Sequence, residues 1–208
     1  TTIMNIGSGQ GAAIADLNSD AHLDLVLLGN DKRLTVLLGD GKGTFGEPAV
    51  HTLSQTPWRQ AVGDLNGDQH PDVVVVPSSG DLAVFLGNAD GTLTPADLVP
   101  RPDPTISEVL LADLTGDGQA EFIWSHSLDP KIRILSGVGT GTLGSVVEVD
   151  VGYAISMALA VGDLNQDNRP DLVAGRYTGG NDTVTIVTNA GGGTLVVAQS
   201  VELDGSYG

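Results

Sequence analysis

Apolar positions along this chain come in short bursts, separated by turns rich in Gly, Asn and Asp. The runs "GAAIAD", "RQAVGD", "EVLLAD" and "ALAVGD" each end on an aspartate and predict short inner strands. A second set, "LDLVLLG", "PDVVVVP", "AEFIWSH" and "PDLVAGR", is apolar almost without interruption, which predicts strands buried on both faces. A third set, "RLTVLLG", "DLAVFLG", "KIRILSG" and "TVTIVTN", leads into "DGKGTF", "NADGTL", "GVGTGTL" and "NAGGGTL". Those turns suit hairpins, because Gly, Asn and Asp tolerate positive φ. A fourth, more polar strand closes each unit. Helix is favoured nowhere.

Between the first and second strands lies a recurring loop: "DLNSDAHLD" at 16–24, "DLNGDQHPD" at 64–72, "DLTGDGQAE" at 113–121 and "DLNQDNRPD" at 163–171. Successive loops start 48, 49 and 50 residues apart, a period of the size found in propeller blades and stacked repeats. Four strands per unit, grading from a tight inner strand to a polar outer one, fit a blade better than a sandwich pair. The expected fold is therefore all-β: a β-propeller of four-stranded antiparallel blades, with four blade-length repeats in one region spanning 1–208. The opening "TTIMNIG" resembles the fourth strands, as does "VVAQSVEL" near the end, so a spare strand is expected and the chain reads as an excerpt of a longer array.

Composition narrows the function. With 208 residues, 40% of them apolar, the chain can bury a real core. A net charge of −17 with only 9 basic residues argues against nucleic acid and points to cations. The absence of cysteine excludes disulfides, thiolate metal sites and cysteine nucleophiles. No apolar run reaches the roughly 18 residues of a membrane span, and no charged-then-apolar leader precedes Thr1, so no membrane insertion is expected.

The loops carry the candidate chemistry. Asp64, Asn66, Asp68 and Asp72 stand at loop positions 1, 3, 5 and 9, with the His70 carbonyl at position 7. Alternate residues of a curled loop can turn oxygens inward, and Ca²⁺ takes about 6 to 8 oxygen ligands. Leu65 would face the protein and anchor the loop. Asp16, Asn18, Asp20 and Asp24 with the His22 carbonyl match fully, as do Asp163, Asn165, Asp167 and Asp171 with the Arg169 carbonyl. The third loop keeps Asp113 and Asp117 and the Gln119 carbonyl, but has Thr115 for Asn and Glu121 for the closing Asp, so its affinity should be lowest. Up to four Ca²⁺ are expected. Mg²⁺ demands stricter octahedral geometry, and Zn²⁺ would want clustered His or Cys, which His22, His51, His70 and His126 do not provide. A helical EF-hand is excluded, since position 12 falls on Val75 inside a strand. Turns favour Asp, Asn and Gly in any case. A turn does not, however, need three acids in nine residues, and 12 of the 26 acidic residues sit in these loops.

At "GDLNGDQHPDVVVV" followed by "VFLGNADGTL" the chain resembles the FG-GAP and VCBS repeat family, with its D-x-N-x-D-G-x-x-D loop and "GDGTF"-like turn. The resemblance runs over essentially the whole chain. It implies propeller blades, commonly seven, similar to the calcium-bearing blades of integrin α-subunit heads. It further implies a secreted or cell-surface protein, completed by further repeats or by self-association.

The expected function is a calcium-binding scaffold for recognition or adhesion, with a protein or glycan ligand. The alternative is a non-catalytic or substrate-binding module of a secreted polysaccharide lyase or hydrolase. No enzyme activity is expected, since there is no G-x-S-x-G elbow or H-E-x-x-H helix. Trp58, in the loop before an inner strand, is the exposed aromatic candidate for a ligand, and Trp124 is a core residue. "NDT" at Asn181 fits a glycosylation sequon, of low weight.

Overall fold

The computed structural model describes residues 9–126, 129–152, 158–176 and 181–204. Every regular element in them is a β-strand, and the strands fall into four four-stranded antiparallel sheets taken in chain order. Blade 1 holds β1 (Gly9–Ala15), β2 (Asp24–Gly29), β3 (Arg33–Leu37) and β4 (Ala49–Thr52). Blade 2 holds β5 (Pro57–Gly63), β6 (Asp72–Pro77), β7 (Ala83–Gly87) and β8 (Leu93–Pro95). Blade 3 holds β9 (Ile106–Ala112), β10 (Glu121–His126), β11 (Lys131–Leu135) and β12 (Val147–Asp150). Blade 4 holds β13 (Ala158–Gly162), β14 (Asp171–Arg176), β15 (Asn181–Asn189) and β16 (Leu195–Asp204). The segment "VVAQSVEL" is thus a fourth strand, while "TTIMNIG" lies outside the described residues. Among the described residues no helix is long and apolar enough to cross a membrane.

The chain divides into two compact units, Thr1–Pro104 and Thr105–Gly208. In the first, β1 lies beside β5, and the Gln60 amide donates to the Val26 carbonyl at 2.9 Å, tying the two blades together. Val26, Leu28, Leu34 and Val36 of blade 1 pack with Val73, Val75 and Phe85 of blade 2. In the second unit β9 lies beside β13, and Ile123, Ile132 and Ile134 pack with Leu172, Ala174 and Val187. Successive strand residues point to opposite faces, so each blade spends one face on its neighbour. The continuous apolarity of β6 has its counterpart in burial of all six of its residues. Trp124 is core, at 1% exposure.

A glycine stands at or just beyond the end of the third strand in blades 1 and 2 for a steric reason. A Cβ on Gly39 would stand 2.3 Å from the Leu23 carbonyl oxygen, and one on Gly87 would stand 2.3 Å from that of Pro71. Each glycine therefore lets the end of the acidic loop lie against the end of the third strand. Gly87→Ala must push backbone apart, and we expect it to cost about 1–3 kcal/mol in a urea melt. Gly43→Ala, with open space around it but a positive φ, provides the comparison for conformational strain alone.

Candidate metal centre

All four loops adopt one backbone path. Positive φ recurs at positions 4 and 6: Ser19 and Ala21, Gly67 and Gln69, Gly116 and Gly118, Gln166 and Asn168. Alternation of right- and left-handed residues turns successive N–H groups to one side, forming a concave nest for anionic oxygens. The first aspartate fills it. Asp64 accepts from the Gly67 and Gln69 N–H groups at 2.7 Å each, and Asp16 accepts from Asp20 at 3.1 Å and Ala21 at 2.9 Å. Asp113 accepts from Gly116 at 2.7 Å and Gly118 at 2.8 Å, and Asp163 from Asp167 at 3.1 Å and Asn168 at 2.9 Å. Left-handed backbone costs a residue with a side chain about 1–2 kcal/mol. Gln69→Gly, which copies Gly118 of the third loop, should therefore stabilise by about 0.5–1 kcal/mol, read as a higher urea midpoint.

Positions 3 and 5 are bonded to each other and to the loop. In the second loop Asn66 Oδ1 accepts from the Asp68 N–H at 2.9 Å, Asp68 Oδ1 from the His70 N–H at 2.9 Å, and Asp68 Oδ2 from the Asn66 amide at 3.0 Å. The first loop repeats this with Asn18, Asp20 and His22. The imidazole of His22 also reaches the loop, with Nδ1 3.3 Å from Asp20 Oδ1, so it contributes more than a carbonyl. In the fourth loop Asn165 accepts from the Asp167 N–H at 3.0 Å. There Arg169 sets its guanidinium 2.5 Å from Asp167 Oδ2 and donates to the Asn189 carbonyl at 2.9 Å, placing a fixed positive charge where a cation would compete.

The closing acid has a structural duty that the spacing did not reveal. Asp24, Asp72 and Asp171 are all 0% exposed, and each latches two strands by accepting two backbone N–H bonds. Asp72 takes Leu65 at 2.8 Å and Gly87 at 2.7 Å; Asp24 takes Leu17 at 2.8 Å and Gly39 at 2.7 Å; Asp171 takes Leu164 at 3.0 Å and Asn189 at 2.8 Å. Glu121 accepts from Leu114 at 2.7 Å, but its other oxygen has a long 3.4 Å contact with Thr115 Oγ1. The leucine after the first aspartate is the anchor in three loops, with Leu17, Leu65 and Leu114 at 1%, 1% and 2% exposure. Leu164 is 51% exposed and anchors nothing among the described residues.

The electrostatics follow from this crowding. Burial pushes the Asp72 carboxyl up to about 6, against the two N–H bonds, and the charges of Asp68 and Asp64 add to the rise. Glu121 is raised for the same reasons, burial first and then Asp117 and Asp113. Asp20, at the surface, is lowered chiefly by the His22 N–H. As placed, no three His, Cys, Asp or Glu side chains among the described residues converge into a metal cluster. The loops hold the expected hard-oxygen donors in a self-bonded form, with the first aspartate on the nest and the closing acid on the two N–H groups it latches. An ionised carboxylate has about four lone-pair sites, so oxygens that already accept an N–H keep capacity for a cation. The donor chemistry fits Ca²⁺.

Four-stranded antiparallel sheets repeated in chain order, each carrying this loop between its first two strands, define a β-propeller built of blade repeats. The chain belongs to the FG-GAP-like repeat family, whose model matches residues 16–75, 64–124 and 113–174, each match running from one acidic loop through the next. No curated protein matches it. Among solved structures it is similar to an Agrocybe aegerita lectin described for specific recognition of non-reducing terminal N-acetylglucosamine. That match has a TM-score of 0.65 at 21% identity and covers 93% of this chain and 51% of the other. BBS1N in complex with ARL6DN is matched at a TM-score of 0.62 and 17% identity, over 97% of this chain and 56% of that one. NanB sialidase from Streptococcus pneumoniae is matched at 0.51 and 13% identity, over 92% of this chain and 30% of that one. The chain spans about half the length of the first two. These likenesses establish the fold.

Trp58 lies within β5 rather than in the loop before it, and the β5–β6 register shifts between Pro57 and Arg59, which makes Trp58 a bulge residue. β1 shifts at the repeat-equivalent place, between Gly9 and Gly11. Bulges re-aim side chains. Trp58 is 41% exposed, with the Arg59 guanidinium 4.4 Å from its ring centroid.

Proposed function

We propose that this chain is a calcium-stabilised, non-catalytic propeller module that recognises a protein or glycan outside the cell. The observation that carries the reading is the shared loop: four copies with positive φ at the same two positions and hard-oxygen donors at 1, 3, 5 and 9. Asp64, Asn66, Asp68 and Asp72, with the His70 carbonyl, would hold one ion, and the equivalent residues of the other loops would hold up to three more. Calcium would supply charge neutralisation and cross-linking, taking the formal charge from −17 to −9 with four ions bound. Loop three is weakened by Thr115 and Glu121, and loop four by the Arg169 guanidinium. Trp58 and Arg59 form the contact patch, as an exposed ring on a bulge with a cation over its face suits a sugar or a protein side chain.

Calcium and protons should compete. Asp72 ionises at about 6 in the fold and at about 3.9 when unfolded. Between those values the native state holds the extra proton, so without metal the contribution of Asp72 to stability falls as pH rises through this window. Calcium binds the ionised form, so the second loop's share of the calcium shift in melting temperature, read as wild type minus Asp64→Ala, should be smaller near about pH 4.5 than near pH 7. An equal share at both values would contradict the assignment. The recognition role is tested on a glycan array and by protein capture in calcium, comparing wild type with Trp58→Ala. Binding that survives Trp58→Ala places the contact elsewhere, and turnover of a polysaccharide would overturn the non-catalytic role.

A further inference from the structure

In the second unit an open cavity of about 130 Å³ lies where the glycine-rich turn of blade 4 meets the third loop. Its origin is one substitution between repeats. In blade 1 the residue opposite the closing acid is Leu38, whose Cδ2 would stand 2.8 Å from a Cβ on Gly91 of the neighbouring turn, so that space is full. In blade 3 the equivalent residue is Ser136, and the space stays open between Ser136 and the Gly192–Gly193 backbone. The turn itself is held in place, since the Leu114 carbonyl accepts from the Gly193 N–H at 3.0 Å and from the Asn189 amide at 2.8 Å.

The lining is one-sided in its chemistry. Leu114, Ile134 and Val147 give an aliphatic wall. Its polar side chains are those of Thr115, Ser136, Ser145 and Glu121, three hydroxyls and a carboxylate. None is a Lys, Arg, His, Asn or Gln, so the site accepts hydrogen bonds and offers no fixed donor. Glu121 is 3% exposed. In the other loops the corresponding second carboxylate oxygen is closed by an N–H at 2.7 to 2.8 Å, whereas that of Glu121 meets Thr115 Oγ1 at 3.4 Å and keeps acceptor capacity. Asp113 and Asp117 in the same loop add negative potential.

We propose that this cavity binds a primary alkylammonium group, with the ammonium on Glu121 and the serine and threonine hydroxyls and the alkyl chain along Leu114, Ile134 and Val147. An ammonium brings three donors and a positive charge, and an aliphatic stem that lies on apolar surface. A neutral polyol would gain no ion pair and would find no aromatic face. The group could come from a free amine or from a lysine side chain of a partner, and both place the same atoms in the site. The proposal goes beyond the calcium reading, because it concerns the loop that departs most from that pattern.

The test is calorimetric titration of the full chain, in chelator so that no calcium competes for Glu121, with n-butylammonium, Nα-acetyl-lysine methylamide, n-butanol and a methyl glycoside. Saturable one-to-one binding of butylammonium is expected, with butanol and the glycoside weaker by at least about tenfold. Lysine methylamide binding as well as butylammonium would identify a protein source, and binding of butylammonium alone would identify a free amine. Ser136→Leu restores the residue that fills blade 1 and should abolish binding without lowering the melting temperature. Glu121→Gln should weaken it by at least about tenfold. Butanol or the glycoside binding as tightly as the amine, binding retained in Ser136→Leu, or no saturation up to about 10 mM amine would overturn the proposal. Calcium-dependent stability would be untouched by those failures, since Asp16, Asp64 and Asp163 carry it in the other loops.

Discussion

Asp72→Ala is expected to destabilise the protein by about 3–5 kcal/mol, a large fraction of what a domain of this kind holds. The carboxylate is fully buried and takes the N–H groups of Leu65, which opens the loop, and Gly87, which ends the third strand of the blade. Alanine leaves both donors without acceptors in a place water does not reach, and each such orphan costs about 1–3 kcal/mol. Asp72→Asn keeps one acceptor oxygen and should lose roughly half as much. Asp64→Ala provides the contrast: the Gly67 and Gln69 N–H groups it accepts from are exposed and can turn to water, so without calcium its cost should stay near about 1 kcal/mol. Urea melts in chelator would measure all three. A loss at Asp72 no greater than that at Asp64 would contradict the latch.

Chelation should produce the other large effect. At dissociation constants of about 10⁻⁴ to 10⁻³ M, millimolar calcium adds about 0.4–1.4 kcal/mol per site. Four sites give about 2–6 kcal/mol, and for a chain of this size that corresponds to a fall in melting temperature of roughly 5–20 °C on removal. No disulfide is available to compensate, since the chain has no cysteine. Substituting Asp20, whose partners are exposed, should shrink the calcium response without the large intrinsic loss expected at Asp72. An unchanged melting curve in excess chelator would remove calcium from the account.

The blade pattern was legible because it is written locally: an apolar run, nine loop residues, a buried run and a glycine-rich turn, repeated at near-constant spacing. Loop positions 1, 3 and 5 were legible for the same reason. The double role of Asp72 was not, because its second partner, the Gly87 N–H, comes from another strand 15 residues along the chain. Nor did composition disclose the strained backbone, since Ser19, Ala21, Gln69, Gln166 and Asn168 hold positive φ that glycine holds elsewhere in the repeat. Register could have revealed it, because Gly67, Gly116 and Gly118 mark the same two loop positions. Arg169 looked like a source of a carbonyl, and only the fold sets its guanidinium on Asp167. The exchange of Leu38 for Ser136 is visible in the aligned third strands, but its consequence depends on which blade turn lies opposite.

Calorimetric titration of metal-free protein with calcium tests the central claim most directly. Saturable binding of up to four ions is predicted, tightest in loops one and two, with Asp16→Ala and Asp64→Ala each removing about one ion from the stoichiometry. Absence of saturable calcium binding up to about 10 mM, or a stoichiometry unchanged in both variants, would contradict it.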